Sequence, residues 1–469
     1  MSRWQVCLAA VAFSALATPC SASVFELFGA GPRSLATVGA GTASADGGEA
    51  AFHNPAMLMA SPLAGAWFGM SATKMALRID LQRPACTDAF AACSARYPSG
   101  FSSRHPVLPT DSGAFEMGWN YPVGGVLRNR LAFGASLALP VGHLIRIAGP
   151  DPQAPNFIQY EGMPDRLAFL VAIAGRITDR WWFGMGTQVL AVLNAQIDLQ
   201  LDATNRDYQR ATIDIGLQPR ARLTAGTALH PRDDLWFGLA WRQHLSLQYG
   251  IPANVAIGSP AELSIGLGHD TLYSPDSVSL GAAWRSPLGG LRLTADLAWA
   301  RWSAMPDPSP SVTLDVKGDG VRAFGLGSAL DVGTDTPAVA LHFRDTFSPA
   351  LAVEARVTEA FVVRGGYRYR PTPAPRAEGP FKYLDNDAHV LGAGVSYRFG
   401  TFAPRLLKQL DDAGASERDT PGPLHIDLGV QAQVLPLRTV YPSDPNDPVG
   451  AFSHGGSVWH AGVAFGGSF

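Results

Sequence analysis

Charge is what this 469-residue chain has least of: Asp, Glu, Lys and Arg make up 16% of it, against roughly 25% in soluble domains. Its 36 basic and 39 acidic residues nearly cancel, so neither nucleic acid nor an anionic surface is implied as a partner. Cysteine is equally scarce, at 4. Long apolar runs are missing too. Past the N-terminal segment nothing approaches the ~20 apolar residues that a membrane helix requires. A chain that faces lipid without such helices has one other solution, a closed β-barrel, because only those two architectures satisfy every backbone polar group in hydrocarbon. Common catalytic signatures are also absent: no G-x-S-x-G, H-E-x-x-H, G-x-x-x-x-G-K or C-x-x-C occurs, and the 11 histidines are dispersed. No enzyme activity, metal or cofactor is expected.

What is abundant is glycine, at 50, and proline, at 36, within a chain that is 47% hydrophobic. The N-terminus has the form of a secretion signal: Arg3, an apolar stretch from Val6 to Ala17, then Cys20-Ser21-Ala22. Residues 1–22 are therefore expected to be removed; Pro19 before Cys20 suits a lipoprotein site poorly. Only Cys86 and Cys93 would remain. In an exported chain such a pair is expected to form a disulfide closing a small exposed loop, two free thiols being the alternative.

The decisive pattern is alternation with a period of two. From Trp181 to Asp202 the odd positions are apolar or small, while the even ones include Gln188, Asn194, Gln196, Asp198, Gln200 and Asp202. From Phe361 to Arg370, Phe361, Val363, Tyr367 and Tyr369 oppose Arg364, Arg368 and Arg370. A strand sends such sets to opposite faces; a helix would scatter them. Soluble sandwiches alternate as well, but over about 5–6 residues, whereas these runs match or exceed the ~9–11 residues of a tilted membrane strand.

Fourteen candidate strands result: 63–82, 113–122, 130–141, 165–177, 180–203, 210–230, 235–249, 277–286, 290–303, 346–357, 361–370, 388–399, 424–437 and 457–469. Tight connections such as Thr178-Asp179 alternate with long Pro- and Gly-rich ones, as short periplasmic turns alternate with long external loops in outer-membrane barrels. Segment 400–423 breaks that scheme. Trp181, Trp182, Trp236, Trp284, Trp299 and Trp302 are expected in interface girdles. His244 and His425 are expected to face the lumen.

Residues 23–62 do not alternate. Phe25, Leu27, Phe28, Leu35, Phe52, Met57 and Leu58 make them too apolar for a solvated tail, which favours a plug in the lumen over a periplasmic arm. The division expected is thus a signal at 1–22, a plug at 23–62 and a barrel at 63–469.

In Phe25-Glu26, Gly31-Pro32-Arg33-Ser34, Gly39-Ala40-Gly41-Thr42-Ala43, Ala45-Asp46 and Ala51-Phe52-His53-Asn54-Pro55-Ala56, the chain resembles the FadL/TodX-type outer-membrane transporters of long-chain fatty acids and aromatic hydrocarbons. Gly47 and Met57 depart from the usual second acidic residue and the usual glycine. The resemblance implies a hatch within a fourteen-stranded barrel, with Phe52, His53, Asn54, Pro55 and Ala56 as its motif; His53, beside the Asn-Pro-Ala, is expected to hydrogen-bond within the hatch rather than to act as a catalyst. It implies passive carriage of hydrophobic small molecules, most directly long-chain fatty acids, with hatch movement. An inward kink in the third strand, where Gly134 and Pro140 lie, would give a lateral exit, an ordinary strand ending in proline being the other reading. Arg364, Arg368 and Arg370 either pair with lumen carboxylates such as Asp296 and Asp427 or hold a ligand carboxylate. Partners expected are outer-membrane lipid and the barrel-assembly machinery, which the terminal Phe469 would engage, for a protein that works as a monomer. The alternatives are a plugged channel for other solutes and a barrel enzyme.

Overall fold

The computed structural model describes residues 24–81, 104–105, 111–127, 129–141, 154–160, 167–202, 207–257, 262–306, 311–317, 341–379, 381–401, 422–444, 447 and 449–469. The segment expected to be a secretion signal and the Cys86/Cys93 pair lie outside these residues, as does most of the 400–423 connection.

Fourteen strands form one closed antiparallel barrel: β1 Gly65–Leu81, β2 Asp111–Pro122, β3 Leu131–Pro140, β4 Ala168–Thr178, β5 Trp181–Asp202, β6 Asp207–Arg232, β7 Leu235–Arg242, β8 Ser277–Arg285, β9 Leu291–Ala300, β10 Thr346–Arg356, β11 Phe361–Arg370, β12 Ala388–Thr401, β13 Pro423–Val440 and β14 Phe452–Ser468. Each pairs with the next, and β1 closes the ring on β14 from Gly65↔Ser468 to Leu81↔Phe452. Closure leaves no open edge, which is what permits strands to sit in lipid. No helix among the described residues is long and apolar enough to cross a membrane.

The outward face carries the apolar set: Phe183, Leu223, Phe237, Leu293, Leu351, Val363, Leu428 and Val463 are all exposed, Leu351 by 63%. The inward face buries polar groups such as Gln188, Arg222, Asp296, Glu354, Arg364 and Gln433. This inversion of the soluble pattern fits hydrocarbon outside and an enclosed polar interior.

Two sequence expectations need correction. The segment 235–249 is not one strand. It breaks at Gln243-His244, where Gln243 N donates to Leu223 O and His244 N to Asp276 Oδ1, each at 2.9 Å. The Asp276 side chain thereby turns the corner, His244 is exposed rather than facing the lumen, and Leu245–Ile257 begins an external hairpin with Glu262–Ser274. That hairpin adds Ser311–Lys317 on one edge and the outer end of β5 on the other. The second correction concerns Trp182 and Trp236. They are buried on the lumen side, in contact with each other and with His230, packed with Met57 and Met59 of the plug rather than standing in a girdle. Trp302, expected in a girdle too, lies beyond β9 in a 3-10 turn beside Tyr273 and faces the lumen mouth.

Residues 24–60 fill the lumen as short helical pieces: α1 Val24–Phe28, α2 Gly31–Ala36, α3 Ala50–His53 and 3-10 turns at Gly47–Glu49 and Pro55–Ala60. Helix α2 lies against β11, β12, β13 and β14, while Pro55–Ala60 lies against β3, β4, β5 and β6. The plug therefore reaches opposite walls. Lumen-facing glycines make this closeness possible. Gly184 pairs with Gly226 across β5–β6, Gly238 with Gly281 across β7–β8, and Gly366 with Gly392 across β11–β12. A Cβ at Gly184 would collide with the Pro55–Ala56 peptide, one at Gly238 with Thr42 O, and one at Gly392 with Leu35 O. With side chains on those strands, the plug backbone could not sit where it does.

Candidate functional site

The Asn-Pro-Ala motif acts as a clamp between plug and wall. Asn54 is fully buried. Its Oδ1 accepts Ala56 N at 3.1 Å, capping the turn that Pro55 starts, while its Nδ2 donates to Thr42 O at 2.7 Å and to Thr227 O of β6 at 3.1 Å. One side chain thus ties two plug segments to a barrel strand. Replacing it with leucine takes a hydrogen bond from two buried backbone groups and from the half-buried Thr227 O, and we expect a loss of about 1–3 kcal/mol in plug anchorage. Faster trypsin cleavage at Arg33 in the purified barrel would report it; unchanged cleavage would refute the clamp.

His53 and Phe52 face the outer side of the plug. Ser34 Oγ and His53 Nε2 lie 2.9 Å apart in a hydrogen bond. Burial, reinforced by the charges of Arg242, Arg368 and Arg33, drives the His53 pKa down to about 3, so the ring is neutral at physiological pH. The Phe52 carbonyl accepts from Arg242 Nη2 at 2.5 Å, and the guanidinium lies 4.2 Å from the centre of the Phe52 ring.

Two charge clusters fix the plug. Arg33 Nη1 donates to Asp46 Oδ1 at 2.7 Å and to Glu49 Oε1 at 2.8 Å, and its Nε and Nη2 form a fork on Glu354 of β10, each at 3.0 Å. Glu354 also receives Arg292 at 3.0 Å and Arg364 at 2.9 Å. Within this cluster burial comes first for Glu49; with Asp46 and Glu354 nearby it outweighs Arg33 and raises the pKa to about 7. The second cluster holds α1: Arg222 donates to Glu26, which also accepts from Ser274 Oγ at 3.1 Å. Burial alone would raise the Glu26 pKa, but Arg222 and Arg242 overcome it and hold it low.

On the outer side of the plug lies a cavity of about 240 Å³. Its floor is plug, with Phe25, Leu27, Phe28, Val38 and Phe52; its walls include Ser348, Val390, Asp296, Arg368 and Gln431, and Trp302 and Gln159 stand at the rim. Gln159 belongs to an outer-loop segment that reaches into the mouth, where Tyr160 donates to Gln433 at 2.9 Å and Arg370 donates to Tyr160 at 2.6 Å. An apolar floor with a few convergent polar groups is the usual make-up of a small-molecule site.

A family model described as outer membrane protein transport protein (OMPP1/FadL/TodX) matches residues 13–404. The chain belongs to this family. The barrel is therefore integral to the outer membrane and carries hydrophobic compounds; it is a transport channel, not an enzyme. Solved structures show the same fold at low identity. A Pseudomonas aeruginosa FadL homologue is 16% identical, with 96% of this chain and 97% of that one covered at a TM-score of 0.52. The Pseudomonas putida toluene transporter TodX is 13% identical, with 95% and 99% covered at 0.54. No curated protein matches the sequence.

In this FadL/TodX-family barrel the residues expected from sequence fall in different places. Phe52, His53, Asn54, Pro55 and Ala56 come together in the plug. The three arginines of β11 do not act as one stripe. Arg364 is committed to Glu354 and to Asp427, at 2.9 and 3.0 Å, within the Arg33 cluster. Arg368 and Arg370 reach the cavity, the former donating through Nε to Val38 O at 2.8 Å. Gly134 admits the Leu58 side chain, which a Cβ there would strike. Both ladders of β3 run in unbroken register, and Pro140 pairs with Ala114 beyond the last β3–β4 pair at Ala138↔Ala168. Among the described residues no group of His, Cys, Asp or Glu could hold a metal. Sequence reading missed Arg33 with Glu354, Glu26 with Arg222, and Asp296 as a cavity residue.

Proposed function

We propose that this outer-membrane barrel passively carries compact, uncharged hydrophobic molecules, rather than long-chain fatty acids, inward from the cell exterior. The observation behind this reading is the cavity. At about 240 Å³ it lies below the roughly 300–1,000 Å³ typical of small-molecule sites, a poor match for a long acyl chain. The arginines of β11 expected to grip a carboxylate already have partners: Arg364 in the Arg33 cluster, Arg370 on Tyr160, and Arg368 on Val38 O. Burial of apolar surface, about 25 cal/mol per Å², would supply the binding energy without any cofactor.

Passage beyond the cavity requires the plug to move. The continuous ladders on both sides of β3 favour a path past a displaced plug over a lateral gap at Gly134 and Pro140. Toluene, the cargo named for one structural relative, is the natural first probe. Radiolabelled toluene and oleate should be presented to cells with and without the gene. We expect toluene uptake to fall severalfold on deletion while oleate uptake barely changes. Loss of oleate uptake alone would restore the fatty-acid reading, and unchanged uptake of both would remove transport of either.

A further inference from the structure

We propose that the external segment 154–160 and helix α1 of the plug are interlocked through Gln433, so that lifting this strap from the mouth loosens the plug. The strap belongs to the connection between β3 and β4. It runs parallel to Tyr383–Leu384 of the β11–β12 connection, with Asn156 N donating to Lys382 O at 3.1 Å and Ile158 N to Leu384 O at 3.3 Å. Gln159 Nε2 adds a bond to Asp385 Oδ2 at 3.1 Å. Lys382 is itself pinned by an ion pair to Asp447 of the β13–β14 connection. Phe157 and Tyr160 are fully buried, so the strap is packed into the mouth.

The link to the plug starts at the Tyr160 hydroxyl. Its one proton goes to Gln433 Oε1 at 2.9 Å, while its oxygen accepts from Arg370 Nη2 at 2.6 Å. Gln433 stands on β13, 1% exposed, and its Nε2 donates to Leu27 O at 3.1 Å. Leu27 lies in the last turn of α1, where a helix has carbonyls without partners of its own. One amide therefore holds both layers, accepting from the strap at one end and donating to the plug at the other. Accepting at Oε1 polarises the amide and strengthens its donation from Nε2. Gln159, Arg370, Gln433, Leu27 and Phe28 all line the one cavity, so a molecule arriving from outside meets this bridge. If it lifts the strap, Tyr160 leaves Gln433 and the grip on α1 weakens with no energy input. Without cargo, the two layers hold each other shut. A coupling of this kind is reciprocal, so loosening α1 must also loosen the strap.

Hydrogen exchange of the full-length protein in detergent, read separately at residues 24–29 and 154–160, tests the interlock. No cargo is involved, so this result and toluene uptake can fail independently. Tyr160→Phe keeps the ring and removes the bridge. We expect it to speed exchange at residues 24–29 about fivefold, the worth of about one hydrogen bond, although the lost hydroxyl bonds to the wall and not to the plug. Exchange at Pro55–Ala60, against the opposite wall, should stay as it is. Gln433→Met should have at least the same effect on α1, and adding Tyr160→Phe to it should add nothing, since both break one bridge. Glu26→Gln, which weakens α1 on its Arg222 side, should in turn speed exchange at 154–160. Unaltered exchange at residues 24–29 in Tyr160→Phe would overturn the proposal. So would additive effects of the two substitutions, a loosening spread evenly over the plug, or a strap that stays protected while α1 loosens in Glu26→Gln.

Discussion

Arg33→Met should release the plug from the barrel wall, weakening its seating by about 3–5 kcal/mol, the cost of breaking a buried ion pair on one side. Arg33 is the cation shared by Asp46, Glu49 and Glu354. Its removal leaves Glu49 without an arginine in hydrogen-bond contact, whereas Glu354 keeps Arg292 and Arg364. The lesion should deepen with pH. Glu49 has a folded pKa of about 7 against a reference of 4.5, so folding favours its protonated form. That contribution is complete below about pH 4.5 and lost as pH rises through about 7. Hydrogen exchange of residues 24–60 at pH 5 and pH 8 is the measurement. We expect plug amides to exchange much faster in the variant, most of all at pH 8, with the strand amides little changed. Plug protection equal to that of the unaltered protein would show that the cluster contributes nothing to seating.

The barrel was legible because lipid and lumen impose opposite preferences on alternate residues over long strands. Phe361 to Arg370 shows it plainly, since the arginines could not face hydrocarbon and the aromatics had no need to face inward. The reading failed where a single side chain overrode the pattern. Nothing in the alternation of 235–249 announces that Asp276 will cap the chain at Gln243-His244. Trp182 and Trp236 occupy lumen positions by parity, yet tryptophan near a strand end suggests a girdle unless parity is given priority. The plug was legible from its apolar content and its Asn-Pro-Ala, but not its anchors. Arg33 and Glu354 lie 321 positions apart, and no local spacing joins them. Glycines on the lumen-facing parity, such as Gly184, Gly226 and Gly238, were the available signal that something would press against the wall.

Those glycines give the second large effect. Gly238→Val should unseat the plug and open the barrel. At this position a Cβ alone would collide with Thr42 O and lie 3.1 Å from Asn54 Nδ2, so valine displaces the clamp together with the segment whose Thr42 N donates to Asp296 Oδ2. The strand should tolerate the change, because Gly238 lies inside regular pairing with Ala228 of β6 and Gly281 of β8 and valine suits an extended backbone. Overpacking of this kind costs about 1–3 kcal/mol or more, a large share of what seats a 37-residue segment running from Val24 to Ala60. Planar bilayer recordings should show steady conductance in Gly238→Val, approaching that of a barrel lacking residues 24–60, where the unaltered protein stays nearly closed. Valine at Gly124, which has open space around it, is the control and should stay closed. If Gly238→Val folds and remains as closed as the control, the plug can shift without opening a path, and close packing at the glycines is not what seals the lumen.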